Sequence, residues 1–195
     1  QSGTHTGWQA RARGTAITLQ DGRYCKSGDK TRLYIGTICT TSTSATEDSV
    51  TKRFVWNMYN RIQRSLKKFD ATVSWAYTTG TWRPLNNSTS NRVEVFNGLN
   101  EEPVDLTLTL SATSSSGGSS YCGIALDSNT TPAGTRPLMG GGGALAYYQN
   151  GTARYTETPG LGYHYFQAME YGGTNVTFFG KEGQDQCGLY GTTRA

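Results

Sequence analysis

The sequence predicts a mostly β protein: an antiparallel β-sandwich of jelly-roll type, preceded by a small β hairpin region and one amphipathic α-helix. Three observations carry this prediction. Apolar and polar residues alternate over several short runs after residue 68, Gly-rich turn signals separate those runs at regular intervals, and one stretch near residue 50 changes to a spacing of four. The 25 glycines among 195 residues, with only 16% of residues charged, fit short strands joined by many turns and argue against a disordered, highly charged chain.

The opening segment places Thr15 to Leu19 and Arg32 to Ile38 around two turn signals, Asp21-Gly22 and Ser27-Gly28-Asp29. Glycine after Asp or Ser supplies the positive φ of a tight turn, so short strands are expected on either side. From Thr46 to about Arg64 the period changes, and Val50, Phe54, Met58 and Ile62 recur every four residues with Lys52, Arg53, Asn57, Asn60, Arg61 and Arg64 between them. That spacing predicts an amphipathic helix. Ser44 and Glu47 have capping-box spacing, and Arg61 and Arg64 suit a helix C-terminus. The apolar stripe then needs a cover, either from the first strands, from the following sandwich or from the same helix in sister subunits, which makes Phe54, Met58 and Ile62 candidate oligomer-interface residues.

After Lys67-Lys68 the pattern is strand-like. Phe69 to Tyr77 alternates, Val93 to Phe96 alternates, and Val104, Leu106, Leu108 and Leu110 fall on one face with Asp105, Thr107 and Thr109 on the other. Further strands are expected at Tyr121 to Leu126, Ala144 to Gln149, Tyr163 to Tyr171, Asn175 to Phe179 and Gly188 to Arg194. The chain therefore divides into residues 1–66, a β preface plus helix for attachment or oligomerisation, and residues 67–195, the sandwich head. On the last strand Tyr190, hemmed by Gly188 and Gly191, is its dominant packing group and a candidate for an oligomer axis.

Residues suited to catalysis are sparse. The chain has two histidines, His5 and His164, and neither lies in a motif that would join an imidazole to Ser or to Cys122 or Cys187. Glu94, Asp105, Asp127, Glu157 and Glu170 show no paired arrangement of the kind glycoside hydrolysis needs. The Gly140 to Gly143 run lacks the Lys-Ser/Thr of a phosphate loop. Cys25, Cys39, Cys122 and Cys187 form no C-x-x-C pair and are expected as thiols, although a Cys25 to Cys39 bridge across the first hairpin is an alternative. Catalytic residues, cofactors and metals are accordingly not expected. A net charge of +4, with Arg61, Arg64, Lys67 and Lys68 as its densest cluster, is too dilute to mark a nucleic-acid surface, and no run of about 20 apolar residues marks a membrane span. The aromatics Trp82, Tyr147, Tyr148 and Tyr155, with Trp75 and Tyr77, are candidates for stacking on a receptor glycan.

Two resemblances add to this. The stretch Asp21-Gly22 through Lys26-Ser27-Gly28-Asp29-Lys30-Thr31-Arg32-Leu33-Tyr34-Ile35-Gly36-Thr37, then Thr46-Glu47-Asp48-Ser49-Val50-Thr51-Lys52-Arg53-Phe54-Val55-Trp56-Asn57-Met58-Tyr59-Asn60-Arg61, resembles a group of bacteriophage virion proteins of largely uncharacterised role. Leu161 to Phe166, Asn175 to Gly180 and Gly188 to Thr193 are similar, more weakly, to the jelly-roll heads of the tumour-necrosis-factor and complement globular-head superfamily, which also tip phage fibres. The resemblances imply a non-enzymatic tail, fibre or capsid-decoration subunit of a phage particle, located in the virion and assembled in the bacterial cytoplasm. Its partners would be other virion proteins, copies of itself in a homo-oligomer such as a trimer, and a host surface glycan. A secreted bacterial lectin-like carbohydrate-binding module is the alternative.

Overall fold

The computed structural model describes residues 15–115, 117–140, 148–182 and 185–195, and strands dominate them. Ahead of residue 60 lie β1 (Ile17–Gln20), β2 (Arg23–Lys26), β3 (Asp29–Leu33), β4 (Gly36–Ile38), β5 (Thr40–Ser42), β6 (Ala45–Thr46), β7 (Lys52–Arg53) and β8 (Val55–Asn57). There follow β9 (Gln63–Phe69), β10 (Ser74–Ala76), β11 (Trp82–Pro84), β12 (Arg92–Asn97), β13 (Val104–Ser114), β14 (Ser120–Leu126) and β15 (Leu138–Gly140). Then come β16 (Gln149–Glu157), β17 (Gly162–Tyr171), β18 (Val176–Phe179), β19 (Lys181–Glu182), β20 (Asp185–Gln186) and β21 (Gly188–Arg194). Among the described residues the one helical element is a three-residue 3-10 turn, Leu85–Asn87.

The β1–β2 hairpin forms where the Asp-Gly signal predicts it. Asp21 and Gly22 have φ of 50° and 74°, the left-handed pair whose twist matches the flanking strands. Two six-stranded sheets make up the larger part of the molecule, and each is built on one long strand. In the first, β13 pairs along nearly its whole length with β16, from Val104↔Glu157 to Ala112↔Gln149. Its other edge is shared by β21, from Asp105↔Thr192 to Thr109↔Gly188, and β18, from Ser111↔Phe179 to Ser114↔Val176, with β9 beyond β21 and β10 beyond β18. In the second, β17 is flanked by β14, then β15, on one side and by β12 and β11 on the other; β7 joins β12 as the sheet's parallel strand.

The alternation read at Val104 to Leu110 holds. Val104, Leu106, Leu108, Leu110 and Ala112 point inward, and Asp105, Thr107, Thr109, Ser111 and Thr113 face outward. They enter one core shared by both sheets, with Tyr155, Phe178 and Leu189 from the first and Val93, Val95, Ile124, Phe166 and Ala168 from the second. Each such aliphatic or Phe side chain contributes roughly 1.5–3 kcal/mol by leaving water. Gly191 lets β21 approach β13 closely, since a Cβ there would lie 2.0 Å from the Asp105 carbonyl oxygen.

The helix expected over Thr46 to Arg64 is absent, and this is the main correction to the sequence reading. Residues 46–64 run through β7, β8 and the start of β9, joined by turns. A spacing of four is also a multiple of two, so Val50, Phe54, Met58 and Ile62 match an extended chain as well as a helix. Long-range pairing decides between them: Trp56 opposes Thr37, and Lys52 and Arg53 oppose Glu94 and Val95. Short polar side chains then serve turns rather than a cap. Ser49 Oγ accepts from the N–H groups of Thr51 and Lys52, Asn57 Oδ1 accepts from those of Tyr59 and Asn60, and Glu47 holds Ser49 and Lys52.

Two edge strands of the first sheet, β9 and β16, are partly covered. Along β9, Lys67 N–H donates to the Val50 carbonyl at 2.7 Å, and the Arg53 Nε and Nη2 donate to the Ser65 carbonyl at 3.2 and 2.8 Å while Nη1 pairs with Asp48. Along β16, Arg154 N–H donates to Thr135 Oγ1 at 2.7 Å, and its carbonyl accepts from Thr135 N–H. Such plugs keep an edge from recruiting a foreign strand. The strands before residue 60 pack on the rest through a smaller cluster of Trp56, Leu99 and Ala195 with Ile17, Tyr24, Tyr34 and Met58.

Candidate functional site

Buried polar side chains gather around Glu170, around His164 with Asp127, and around Asp70. Glu170 on β17 is fully buried between the sheets; its Oε2 accepts from Trp75 Nε1 and its Oε1 from Arg83 Nε, both at 2.7 Å. The Arg83 guanidinium also lies 3.6 Å from the Tyr77 ring centroid. Burial pushes the Glu170 carboxyl above its usual range, against the pull of its hydrogen bonds to Trp75 and Arg83. With both oxygens engaged, the group ties β10 of the first sheet to β11 and β17 of the second, and acts as a clamp.

At the other end of β17, His164 Nδ1 lies 2.8 Å from Asp127 Oδ2, and Asp127 Oδ1 accepts from the Tyr165 N–H. His164 is 1% exposed, and its Nε2 has no hydrogen-bond partner among the described residues. The pair orients the imidazole as a catalytic dyad would, but no hydroxyl or thiol is hydrogen-bonded to Nε2. The Cys187 thiol instead donates to Ser111 Oγ, and burial pushes the Cys122 thiol up to about 12, so it stays protonated at neutral pH. All four cysteines are unpaired, including Cys25 and Cys39. His5 lies outside the described residues.

Glu94 pairs with Arg92 and accepts from the Tyr163 hydroxyl, Asp105 accepts from Thr156, and Glu101 and Glu102 grip Arg61. Among the described residues no three His, Cys, Asp or Glu side chains gather to hold a metal ion, and no helix is long and apolar enough to cross a membrane.

Asp70, after β9, is the third cluster. Burial alone would raise its carboxyl, but the Thr72 N–H, Asn91 Nδ2, the Thr72 hydroxyl and Asn86 Nδ2 together hold it below its ordinary 3.8. A depressed folded-state pKa favours folding above the unfolded value and loses that share as pH falls through the folded value. Urea titrations from pH 5 to pH 2 should therefore show Asp70→Asn removing part of the acid-side loss of stability, while costing about 2 kcal/mol at pH 7.

The surface candidates scatter. Phe54 is fully buried within the chain, edge-on to Tyr163 at 6.0 Å, because the segment is extended rather than helical; Met58 is half-buried beside Trp56, and Ile62 is exposed. The three do not form one stripe. Tyr155, expected at the surface, is a core side chain packed 5.0 Å from Phe166, with its hydroxyl pushed up to about 12 by burial. Tyr148 is exposed beside Phe179, and Tyr147 lies outside the described residues. Tyr190, 40% exposed, stands on the outer face of the first sheet among Thr107, Thr192 and Lys67, with Phe69 edge-on at 6.5 Å. The basic cluster is dispersed: Arg61 is held by two glutamates over Trp56, and Lys67 lies over Phe69.

Trp82 belongs to a group that sequence reasoning missed. Pairing registers Trp82 with Tyr171, Tyr171 with Tyr121, and Tyr121 with Leu138, so four apolar side chains form one row across β11, β17, β14 and β15 on the second sheet's outer face. The ring centroids are 5.6 Å apart for Trp82–Tyr171 and 5.4 Å for Tyr121–Tyr171. No local signal joins residues 82, 121 and 171; only register does. Between residues 19 and 62, Leu19, Leu33, Ile35, Ile38, Val50, Tyr59 and Ile62 are each exposed, Ile35 to 72%.

No known protein family matches this chain, and no curated protein sequence matches it.

Proposed function

We propose that this chain is a non-enzymatic structural subunit of a bacteriophage particle, a tail, fibre or capsid-decoration component, in which residues 67–195 supply most of a jelly-roll head and the segment before them, beyond the strands it lends to the two large sheets, attaches to other virion proteins. The carrying observation is the number of large apolar side chains left exposed between Leu19 and Ile62. A subunit of an assembly buries side chains of this kind against its neighbours. Tyr190 then faces a sister copy, in a homo-oligomer of trimeric form, and the opposite sheet is left to meet a host glycan. The engaged carboxylates support a role in binding rather than turnover.

The test is sedimentation of the full chain. It should run as an oligomer at micromolar concentration, and Ile35→Lys with Ile38→Lys should weaken assembly by about 2 kcal/mol, roughly thirtyfold, without lowering the melting temperature. A monomer at all concentrations up to solubility would end the reading. A second reading, a secreted bacterial lectin-like module, draws on the Trp82 row and requires a monomer that binds glycan.

A further inference from the structure

We infer that the row Trp82, Tyr171, Tyr121 and Leu138 is a binding surface for a neutral oligosaccharide. The inference deepens the glycan contact proposed above and rests on that reading for its biological setting, but its physical basis is separate.

Shape comes first. The row crosses four adjacent strands, so its positions are fixed by sheet hydrogen bonds rather than by a loop. Leu138 is 55% exposed, and the three aromatic residues are half-buried, leaving ring surface open to solvent. Apolar ring surface of this kind is what the C–H faces of a sugar pack against.

Polarity narrows the ligand. Trp82 Nε1 and the hydroxyls of Tyr121 and Tyr171 make no hydrogen bonds to protein among the described residues, whereas Trp75 and Tyr77 use theirs on Glu170 and Thr81. The row therefore presents three unspent hydrogen-bonding groups along an apolar strip. A purely apolar partner would leave them unpaired as it covered them, and a hydroxylated one would not.

Charge narrows it further. Neither this row nor the next one along the strands, Pro84, Met169 and Gly123, contains an ionisable acid or base of the carboxylate, ammonium or guanidinium type. The neighbouring Arg83 is turned inward, with its Nε on Glu170 and its plane on Tyr77. A sialylated, sulfated or phosphorylated ligand would find no counter-charge within these two rows, and a neutral sugar needs none.

Gly80 keeps the strip open. A Cβ at this position would lie 2.9 Å from the Tyr171 hydroxyl oxygen, so any side chain there would crowd that hydroxyl. It offers a way to block the surface without removing a ring.

The experiment presents the full chain to immobilised neutral oligomers of glucose, galactose, mannose and N-acetylglucosamine and to sialylated and sulfated counterparts, with sedimentation on the same samples. Retention on at least one neutral series is expected. Trp82→Ala and Tyr171→Ala should each weaken it about tenfold or more, and Gly80→Val, which leaves all three rings in place, should weaken it with an unchanged melting temperature. Failure to bind any neutral series, binding to acidic probes alone, or retention undiminished in these variants would overturn the inference. So would loss of oligomer mass in Trp82→Ala, which would make a second copy of the chain the occupant. A monomer that binds neutral sugar overturns the particle-subunit reading and keeps this one; an oligomer that binds none does the reverse.

Discussion

Phe54→Asp should unfold the protein at room temperature or leave it with a stability too small to measure. Phe54 has no exposed surface; its ring meets Tyr163, and its backbone joins the Glu47 and Cys39 segments to one another. Removing a buried Phe side chain costs about 3–5 kcal/mol, and an unpaired carboxylate in its place adds a desolvation cost of several more. That total rivals the whole stability of an ordinary domain, about 5–15 kcal/mol. Phe54→Leu, which keeps most of the apolar volume, should cost only about 1–1.5 kcal/mol and fold normally. Urea melts of the two variants check the point; a Phe54→Asp chain with an unchanged midpoint would mean that this side chain is exposed in solution.

Glu170→Ala should be the second most damaging single change, costing about 3–5 kcal/mol, because it strands the Arg83 guanidinium and the Trp75 indole N–H after both have been shaped around a carboxylate. Glu170→Gln keeps the shape and one acceptor, so about 1–2 kcal/mol is expected. The comparison has a pH signature. Burial raises the folded-state pKa of this carboxyl above its ordinary 4.5, so its contribution is fully present below that value and is lost as pH rises through the folded one. The Glu170→Gln penalty should therefore be larger near pH 4 than at pH 7, and a penalty growing with pH would show the group to be stabilised as an anion instead.

The sequence reading succeeded where a strand has one dry and one wet face. From Val104 to Ala112 every second residue of β13 is apolar, and the hairpin turn at Asp21-Gly22 is encoded by residues that tolerate positive φ. It failed between 46 and 64 because a four-residue apolar spacing satisfies both periods, and partners far away in the chain, Thr37 for Trp56 and Glu94 for Lys52, settled the matter. Tyr155 was misplaced for a related reason. Its neighbours Arg154 and Thr156 are polar, but on an alternating strand that makes it the inward residue, a consequence visible only once Ala153 and Gly151 are recognised as its companions. The Trp82 row was not legible, since cross-strand neighbours at 82, 121 and 171 depend on a register that no short motif specifies.

The way β13 is shared carries a consequence for how the chain reaches its native state. Its partners β16, β18 and β21 are all synthesised after it, and β9 pairs with β21 from Gln63↔Arg194 to Phe69↔Gly188, closing a loop that spans most of the polypeptide. Pairings so distant in sequence must overcome a large loss of chain freedom before any burial compensates, which places this architecture among the slow folders. On a ribosome, β9 emerges long before its partner exists, and its strand hydrogen bonds wait on the arrival of β21.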